Sequence, residues 1–209
     1  VASGWKPIPP DTHSGFRWPH HVHEQILGLG ELDRRHGDLF SYRSIETDVL
    51  AHCLERVSGK RLPQLLSDEI WQPAGMEESA CMTVDPAGYA LASGGLNACL
   101  RDYGRFGLLY LEGGIVPASW IEATRSGDHS IFLAPYTYVL PEGAYRNQWW
   151  VEDPRSRAIM ARGVFGQMIY VNWDHNMVVV KLSSWPDFLN TDFNIATLAA
   201  IHAIAGELA

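Results

Sequence analysis

The sequence predicts an α+β fold in which a helical lobe is followed by antiparallel strands and a C-terminal helix. Two changes of pattern along the 209 residues carry this prediction. Between residue 44 and about residue 125, apolar residues recur at the spacing of amphipathic helices. From about residue 146, short runs rich in β-branched and aromatic residues replace that spacing, as expected of strands. The chain therefore divides into an irregular segment (1–39), a helical lobe (40–125) and a sheet segment with its terminal helix (126–209).

Helix boundaries in the first two parts are indicated by proline and glycine. The proline-rich start of the chain favours a loop that covers other parts of the protein, with one short helix around Val22 to Gly28. In the lobe, the apolar residues Ile45, Val49, Leu50, Cys53, Leu54 and Val57 predict a helix that ends at Gly59. Further helices are expected from Pro63 to Trp71, from Leu100 to Leu111 before Gly113, and from Ala118 to Thr124.

Three strands are predicted in the last part, at Trp149–Val151, Phe165–Trp173 and Met177–Ser184. The turn 173–176 would join the last two as a hairpin, and a final helix is expected at 194–205. The strand from Phe165 is apolar on both faces, which is typical of a central strand covered on two sides. Three strands and one helix leave a sheet edge without a partner, so the sequence predicts one incomplete domain that lacks an N-terminal segment.

Composition excludes several classes of protein. Lys and Arg number 16 against 24 Asp and Glu, and a net charge of −8 argues against a nucleic-acid partner. No apolar run approaches the roughly 18 residues of a membrane span, so no membrane partner is expected. The three cysteines (Cys53, Cys81 and Cys99) cannot all pair, which favours buried, reduced thiols and a cytoplasmic over a periplasmic location. The chain shows no signal peptide, and the compartment stays open.

Six short motifs follow one another along the chain: Phe40–Ser44, Ile70–Met76, Ala92–Leu96, Arg101–Gly107, Tyr145–Trp150 and Ala161–Gln167. Their order resembles that of the penicillin-recognising serine hydrolases, which include class C β-lactamases. The closest pattern is that of the nylon-oligomer (6-aminohexanoate-dimer) hydrolase and esterase branch. Ala74 stands where that family usually carries Leu.

The resemblance implies a β-lactamase/transpeptidase-like fold and a hydrolase that needs no cofactor and no metal. Such an enzyme cleaves an amide or ester bond of a small molecule through an acyl-serine intermediate. The family carries its nucleophile in a Ser-x-x-Lys motif well upstream of the motif at 40–44. We expect that motif, its helix and the N-terminal strands to be missing here, so the partner of this chain would be an upstream segment of the same protein. The chain alone is then expected to be inactive.

By this resemblance Tyr42 is the catalytic proton carrier. A free tyrosine, with a pKa near 10, is a poor base at neutral pH, but a nearby lysine or helix N-terminus lowers that pKa. The alternative is a tyrosine whose ring simply packs at the start of a helix. Ser44 also has two interpretations, a residue that caps the helix and a member of the catalytic network. β-Lactamases often carry Asn at the position of Ser44, so antibiotic hydrolysis is not expected.

Arg162-Gly163 stands where β-lactamases carry Lys-Thr-Gly. A glycine at a strand edge lets a substrate carbonyl approach backbone N–H groups, so Gly163 and Val164 are candidates for half of an oxyanion hole. Arg162 could hold a substrate carboxylate, or be a surface arginine on a strand. Trp149 is a candidate for the lining of an apolar substrate cleft, with core packing as the alternative.

Ser3-Gly4-Trp5-Lys6 is the one match to Ser-x-x-Lys in the sequence, but Pro7, Pro9 and Pro10 do not permit the helix that this motif requires, so we do not expect it to be the nucleophile. Two alternative functions remain open. The early histidines His20, His21 and His23 suggest a metal-dependent hydrolase, although no matching Glu/His cluster with helical spacing appears. The chain could also come from a non-catalytic relative that binds a ligand or peptide with the same cleft.

Overall fold

The computed structural model describes residues 21–30 and 34–208, in two compact units. The first unit takes in the described residues up to Trp71 together with Ala80–Asn97. The second comprises Gln72–Ser79 and the residues from Ala98 onward. The division of the sequence at residues 39 and 125 stays a prediction.

Three helices and a short hairpin form the first unit. The hairpin pairs Cys81 with Asn97 and Met82 with Leu96 in antiparallel register. Gly59 ends the second helix in the left-handed conformation (φ 69°), which glycine adopts without the steric cost that other residues incur. The elements are α1 (Val22–Leu27), α2 (Ser44–Ser58), α3 (Leu62–Leu66) with a π-helical turn (Ser67–Trp71), β1 (Cys81–Met82) and β2 (Leu96–Asn97).

The face that α2 buries is not the apolar one that its sequence predicts. Leu50, Leu54 and Val57 are exposed, whereas the buried residues of the helix are Glu46, Asp48 and Ala51. The burial of the two acidic residues is offset by partners, since a buried polar group needs a hydrogen bond. Ser93 donates its backbone N–H to Asp48, for example. Helical spacing of apolar residues therefore predicts the helix correctly and its buried face incorrectly.

A five-stranded antiparallel sheet forms the centre of the second unit. Its strands follow chain order, and the described residues place β3 and β7 at its edges. The strands are β3 (Ala144–Arg146), β4 (Trp149–Val151), β5 (Ala158–Arg162), β6 (Met168–Asn172) and β7 (Met177–Lys181). All five residues of β6 are buried, so the prediction of a central strand in this region is confirmed. The hairpin between β6 and β7 is confirmed as well.

Two helices, α4 (Leu100–Leu111) and α5 (Ala118–Arg125), lie against one face of this sheet. Gly107 of α4 faces Val178 and Ile169, and a Cβ at that glycine would lie 2.5 Å from Val178 Cγ1. A side chain there would therefore push the helix away from the sheet. Tyr110 of α4 packs on Trp149, with ring centroids 4.5 Å apart. The core of this face also contains Ile121, Val151, Ile159, Ile169 and Val171.

A third helix of this unit, α6 (Thr191–Glu207), is connected to the other face of the sheet. Tyr170 lies between Ile169 and Val171 on β6, so its side chain points away from theirs. Its hydroxyl donates to Glu152 Oε2 over 2.6 Å, and His202 of α6 bonds Glu152 Oε1 over 2.6 Å. Burial and the adjacent carboxylate raise the pKa of Tyr170 well above its usual value, which keeps this hydroxyl protonated.

The structure corrects three details of the sequence interpretation. Strands β3 and β5 were not predicted, and Phe165 lies in a turn before β6 rather than in the strand. All three cysteines are free, but Cys53 and Cys81 are exposed, so the expectation of buried thiols was wrong for both. Within the described part of the chain, no helix is long and apolar enough to cross a membrane.

Candidate functional site

Tyr42 lies in an extended segment that leads directly into α2. Phe40 anchors this segment in the first unit, with 4% of its surface exposed, whereas Tyr42 is 44% exposed. Helix α2 begins at Ser44, and Arg43 occupies the capping position without a side-chain cap. The interpretation of Ser44 as the capping residue was therefore wrong. The phenol of Tyr42 stands two residues before a 15-residue helix, whose N-terminus carries a partial positive charge.

The residues that follow Tyr42 are held by buried polar contacts. Arg43 and Glu46 form a loose ion pair (4.0 Å), and both side chains are almost fully buried. One turn further, Asp48 Oδ1 accepts the backbone N–H of Ser93 over 3.1 Å, which joins α2 to the Ala92–Leu96 segment. Burial raises the pKa of Asp48, and the hydrogen bonds from Ser93 and Ala92 only partly oppose that effect. Helix α2, which begins at the last residue of the 40–44 motif, thus contacts the 92–96 motif through Asp48.

Arg162 and Gly163 mark the end of β5, at the start of a tight turn. Arg162 is the last residue of the strand and pairs with Met168 of β6. The N–H of Gly163 donates to the carbonyl of Gln167 over 2.9 Å, so this group closes the turn. A Cβ on Gly163 would lie 2.9 Å from Gln167 Cβ, so the turn requires glycine for space. The N–H of Gly163 is therefore already used within the turn.

Val164 provides the donor that Gly163 does not. Its N–H has no hydrogen-bond partner among residues 21–30 and 34–208, and its side chain is exposed. An exposed N–H is normally satisfied by water, which a ligand carbonyl can replace. A backbone N–H that is fixed in a turn is the kind of donor that stabilises an oxyanion.

The turn after Gly163 is held rigidly by the chain that follows β7. Gln167 donates from Nε2 to the carbonyl of Ser183 (2.5 Å) and accepts the N–H of Ser183 at Oε1 (3.0 Å). Lys181 Nζ donates to the carbonyl of Gly166 over 2.9 Å and lies 4.3 Å from the centre of the Trp185 ring. Gly166 has a positive φ of 85°, and any side chain there would overlap that ring. Burial lowers the pKa of Lys181.

The two tryptophans of β4 have different environments. Trp149 is 4% exposed and packs between Tyr110 and Phe106, so it contributes to the core as the alternative interpretation proposed. Its role as a substrate contact stays a prediction. The guanidinium of Arg162 lies 4.8 Å from the centre of the Trp150 ring, a cation–π contact. Arg162 is therefore held in place by a neighbour on the sheet.

The histidines provide no metal site in the part of the chain that the structure describes. His21 accepts the backbone N–H of Glu24 and caps α1, and His23 stacks on His52 with ring centroids 5.0 Å apart. Residues 21–30 and 34–208 contain no cluster of three or more His, Cys, Asp or Glu that could hold a metal ion. His20 and the Ser3-x-x-Lys6 match lie outside the described residues.

Sequence reasoning missed the residues that support the candidate donor. Gln167, Lys181 and Trp185 hold the turn at 163–166, and none of them was singled out for this role. The two glycines Gly163 and Gly166, three residues apart, were the available signal, because paired glycines near a strand end indicate a turn with a close packing partner.

Comparison with known proteins defines the class. Residues 4–204 match the Beta-lactamase family, so the chain belongs to it. The predicted resemblance to penicillin-recognising serine hydrolases, the fold class and the assignment to a hydrolase family are all confirmed.

Within this family, the chain is similar to the 6-aminohexanoate-dimer hydrolase of Paenarthrobacter ureafaciens. The identity is 35% over 156 residues, which cover 71% of this chain and 40% of that enzyme. The structure is also similar to that of a candidate 6-aminohexanoate-dimer hydrolase from Bacillus anthracis. That match has a TM-score of 0.80 at 30% identity and covers 96% of this chain and 52% of the other. A penicillin-binding protein of Bacillus halodurans shares the fold, with a TM-score of 0.66 at 14% identity over 87% of this chain and 63% of the other. The chain thus spans about half the length of the two hydrolase relatives.

Proposed function

We propose that the full-length protein hydrolyses an amide or ester bond of a small molecule through an acyl-serine intermediate. Membership of the Beta-lactamase family, with 35% identity to a 6-aminohexanoate-dimer hydrolase, is the observation that carries this proposal. The nucleophile would be the serine of a Ser-x-x-Lys motif that we expect upstream of Tyr42. Nothing among the described residues favours a metal-dependent reaction, and the matched relatives are named as hydrolases or penicillin-binding proteins.

Tyr42 would carry the proton in each half of the reaction. The serine oxygen forms a bond to the scissile carbonyl carbon while its proton passes to the phenolate of Tyr42. When the bond to the leaving group breaks, that proton passes to the departing nitrogen or oxygen. Water then attacks the acyl carbon and gives a proton to the phenolate of Tyr42. The bond between the acyl carbon and the serine oxygen breaks as the phenol returns that proton to the serine, and the acid product leaves. The exposure of Tyr42 and its position before α2 support this role.

Val164 would stabilise the negative charge that develops on the carbonyl oxygen. Its N–H has no partner among the described residues and belongs to a turn that Gln167 and Lys181 hold rigid. A rigid donor acts without reorganising when the charge appears, which is the basis of oxyanion stabilisation. The second donor would be the N–H of the nucleophilic serine. We assign Gly163 the role of keeping this position open.

Esters and short amides, rather than β-lactams, are the proposed substrates. Ser44 offers a hydroxyl where β-lactamases often have an amide, which both donates and accepts hydrogen bonds. Arg162 replaces the lysine of the Lys-Thr-Gly motif, and its planar guanidinium suits a substrate carboxylate. Its contact with Trp150 holds the guanidinium on the sheet.

Substrate turnover by the full-length protein tests this proposal. We expect hydrolysis of p-nitrophenyl acetate and of short amides to exceed that of a cephalosporin, and to persist after chelation of metal ions. A fluorophosphonate should label one serine, upstream of Tyr42. Faster turnover of the cephalosporin than of the ester would overturn the substrate class. Absence of both hydrolysis and labelling would favour the non-catalytic, ligand-binding relative.

A further inference from the structure

The turn that presents the Val164 N–H is bordered by exposed aromatic side chains. Phe165 is 41% exposed and Phe188 is 58% exposed, and their rings meet edge to face with centroids 5.9 Å apart. Their chain neighbours Val164 and Leu189 are exposed as well. Large apolar side chains that lie together at a surface usually mark a binding site.

The backbone of Phe165 is held in an uncommon conformation. Its φ is 55°, in the left-handed region that aromatic residues rarely adopt. Two backbone hydrogen bonds hold it there, from its N–H to the carbonyl of Phe188 (3.1 Å) and from the N–H of Trp185 to its own carbonyl (3.2 Å). Strained residues of this kind persist where the surrounding structure fixes them, and they are found often at ligand sites.

The position of these rings relative to the free donor indicates what they contact. Phe165 directly follows Val164 in the chain, so this pair of rings lies one residue from the N–H that a substrate carbonyl would accept. The acyl substituent stays bonded to that carbonyl in both halves of the reaction, whereas the leaving group departs after the first. A subsite next to the donor therefore acts in both halves of the reaction only if it binds the acyl group of the substrate.

We propose that Phe165 and Phe188 form an apolar subsite that selects substrates with an extended aliphatic or aromatic acyl group. This inference rests on the proposed function and names the substrate class of the same site. The edge-to-face pair and its two backbone hydrogen bonds make the subsite preformed, so an apolar chain binds without ordering the protein. Each methylene of the acyl group that contacts the rings raises kcat/KM for the longer substrate.

Two esters with one leaving group test the subsite in the full-length protein. The readout is the ratio of kcat/KM for p-nitrophenyl hexanoate to that for p-nitrophenyl acetate. We expect a ratio of about 10 or more in the wild type, as for a few methylenes held by an apolar wall. Phe188→Ala should reduce it to about 3 or less. Phe165→Asn should do the same, because Asn tolerates the left-handed conformation and removes only the ring. Tyr138→Ala removes an exposed aromatic residue elsewhere in the second unit and should leave the ratio unchanged.

The possible results separate the subsite from the proposed hydrolase function. Equal kcat/KM for the two esters in the wild type would overturn the subsite without any variant, and would leave the proposed hydrolase function standing. A wild-type preference that persists in both Phe188→Ala and Phe165→Asn would also overturn it. Hydrolysis of neither ester would remove the proposed function and the subsite with it.

Discussion

Asp102 Oδ1 accepts the backbone N–H of Glu77 over 2.8 Å, which attaches the first turn of α4 to the segment 72–79. The second oxygen accepts the N–H of Glu78 (3.0 Å) and the thiol of Cys99 (3.2 Å). Arg105 completes the arrangement with bonds to Asp102 and to the side chain of Glu77. The side chain of Asp102 has no exposed surface. The Arg101–Gly107 motif that the sequence shares with its family is thus explained by structure, since Asp102 and Arg105 fix a loop and Gly107 meets the sheet.

Replacement of Asp102 should reduce stability in a pH-dependent way. Burial alone would raise the pKa of Asp102, but the hydrogen bonds from Glu77, Glu78 and Cys99, with the charge of Arg105, outweigh it and lower the pKa. A lowered folded-state pKa means that this stabilisation is present above the unfolded value of 3.8 and is lost as the pH falls through the folded one. We expect Asp102→Asn to lower the thermal midpoint clearly at pH 7, and the deficit to shrink when the pH falls below about 4.

Thermal unfolding of the full-length protein at several pH values measures this effect. The exposed Asp38 provides a matched control, since Asp38→Asn makes the same chemical change without removing a buried network. A deficit for Asp102→Asn that stays constant with pH would contradict the linkage.

The contribution of Asp48 to stability should show the opposite dependence on pH. The pKa of Asp48 is raised, chiefly by burial, so its carboxylate form is less favourable in the folded protein than in the unfolded chain. The contribution of this group is fully present below the unfolded value of 3.8 and is lost as the pH rises through the folded pKa. Asp48→Asn keeps an oxygen to accept the N–H of Ser93 and removes the charge.

We therefore expect the midpoint difference, Asp48→Asn minus wild type, to increase as the pH is raised from about 4 to 7. The same unfolding series and the same Asp38→Asn control apply. A difference that falls over this interval would show that the carboxylate is better stabilised than its burial indicates.

The long periodic elements of this fold were accessible from the sequence, and the short ones were not. Helix α4 was located by its apolar spacing and by Gly113, and β6 by its unbroken apolar run. Strand β5 was missed because Ala158, Met160 and Ala161 have little β propensity, and only the turn residues before it and Gly163 after it indicate a strand. Its place in the centre of the sheet comes from its pairing with β4 and β6, which are tertiary contacts.

The candidate site could also be predicted only in part from the sequence. Tyr42 and the Gly163-Val164 pair were found from a resemblance of motifs, which fixes positions along the chain. The Val164 N–H, which has no partner among residues 21–30 and 34–208, could not be identified from the sequence, because this depends on which backbone groups the turn uses internally. Gly163 and Val164 were proposed together as half of an oxyanion hole, and only the structure shows that the N–H of Gly163 bonds the carbonyl of Gln167. Likewise, the exposure of the apolar residues of α2 depends on the partners of Glu46 and Asp48, and helical spacing alone does not reveal them.

Removal of the Tyr42 hydroxyl should stop most of the chemistry. Tyr42→Phe keeps the ring and its packing, and it takes away only the group that exchanges a proton. We expect turnover of an ester by the full-length protein to fall roughly a hundredfold or more, in line with general acid–base catalysis. Tyr138→Phe is the matched control, since Tyr138 is also exposed and does not belong to any of the motifs. Turnover near that of the wild type in Tyr42→Phe would exclude the role.

The 209-residue chain, expressed by itself, should be inactive and prone to aggregate. Helix α6 buries Leu198 and Ile201 but leaves Ile195 and Ile204 exposed, and in the described residues β7 pairs on one side only. Exposed apolar side chains on a helix and an unpaired sheet edge both favour association with other chains. The chain spans 40% of the length of the Paenarthrobacter hydrolase, and we expect the remainder of such an enzyme to cover these surfaces and to supply the Ser-x-x-Lys motif.

Labelling with a fluorophosphonate, followed by size-exclusion chromatography, tests this last prediction. The purified chain should remain unlabelled and elute as a mixture of large species. Co-expression with the upstream segment of the full-length protein should give one defined species, labelled on that segment. Substitution of Ile195 and Ile204 by Ser should weaken this complementation, because it removes exposed apolar area from α6 that the segment is expected to cover. Labelling of the isolated chain at Ser3 would instead show that Ser3-x-x-Lys6 is the nucleophile motif and that no second segment is needed for the chemistry.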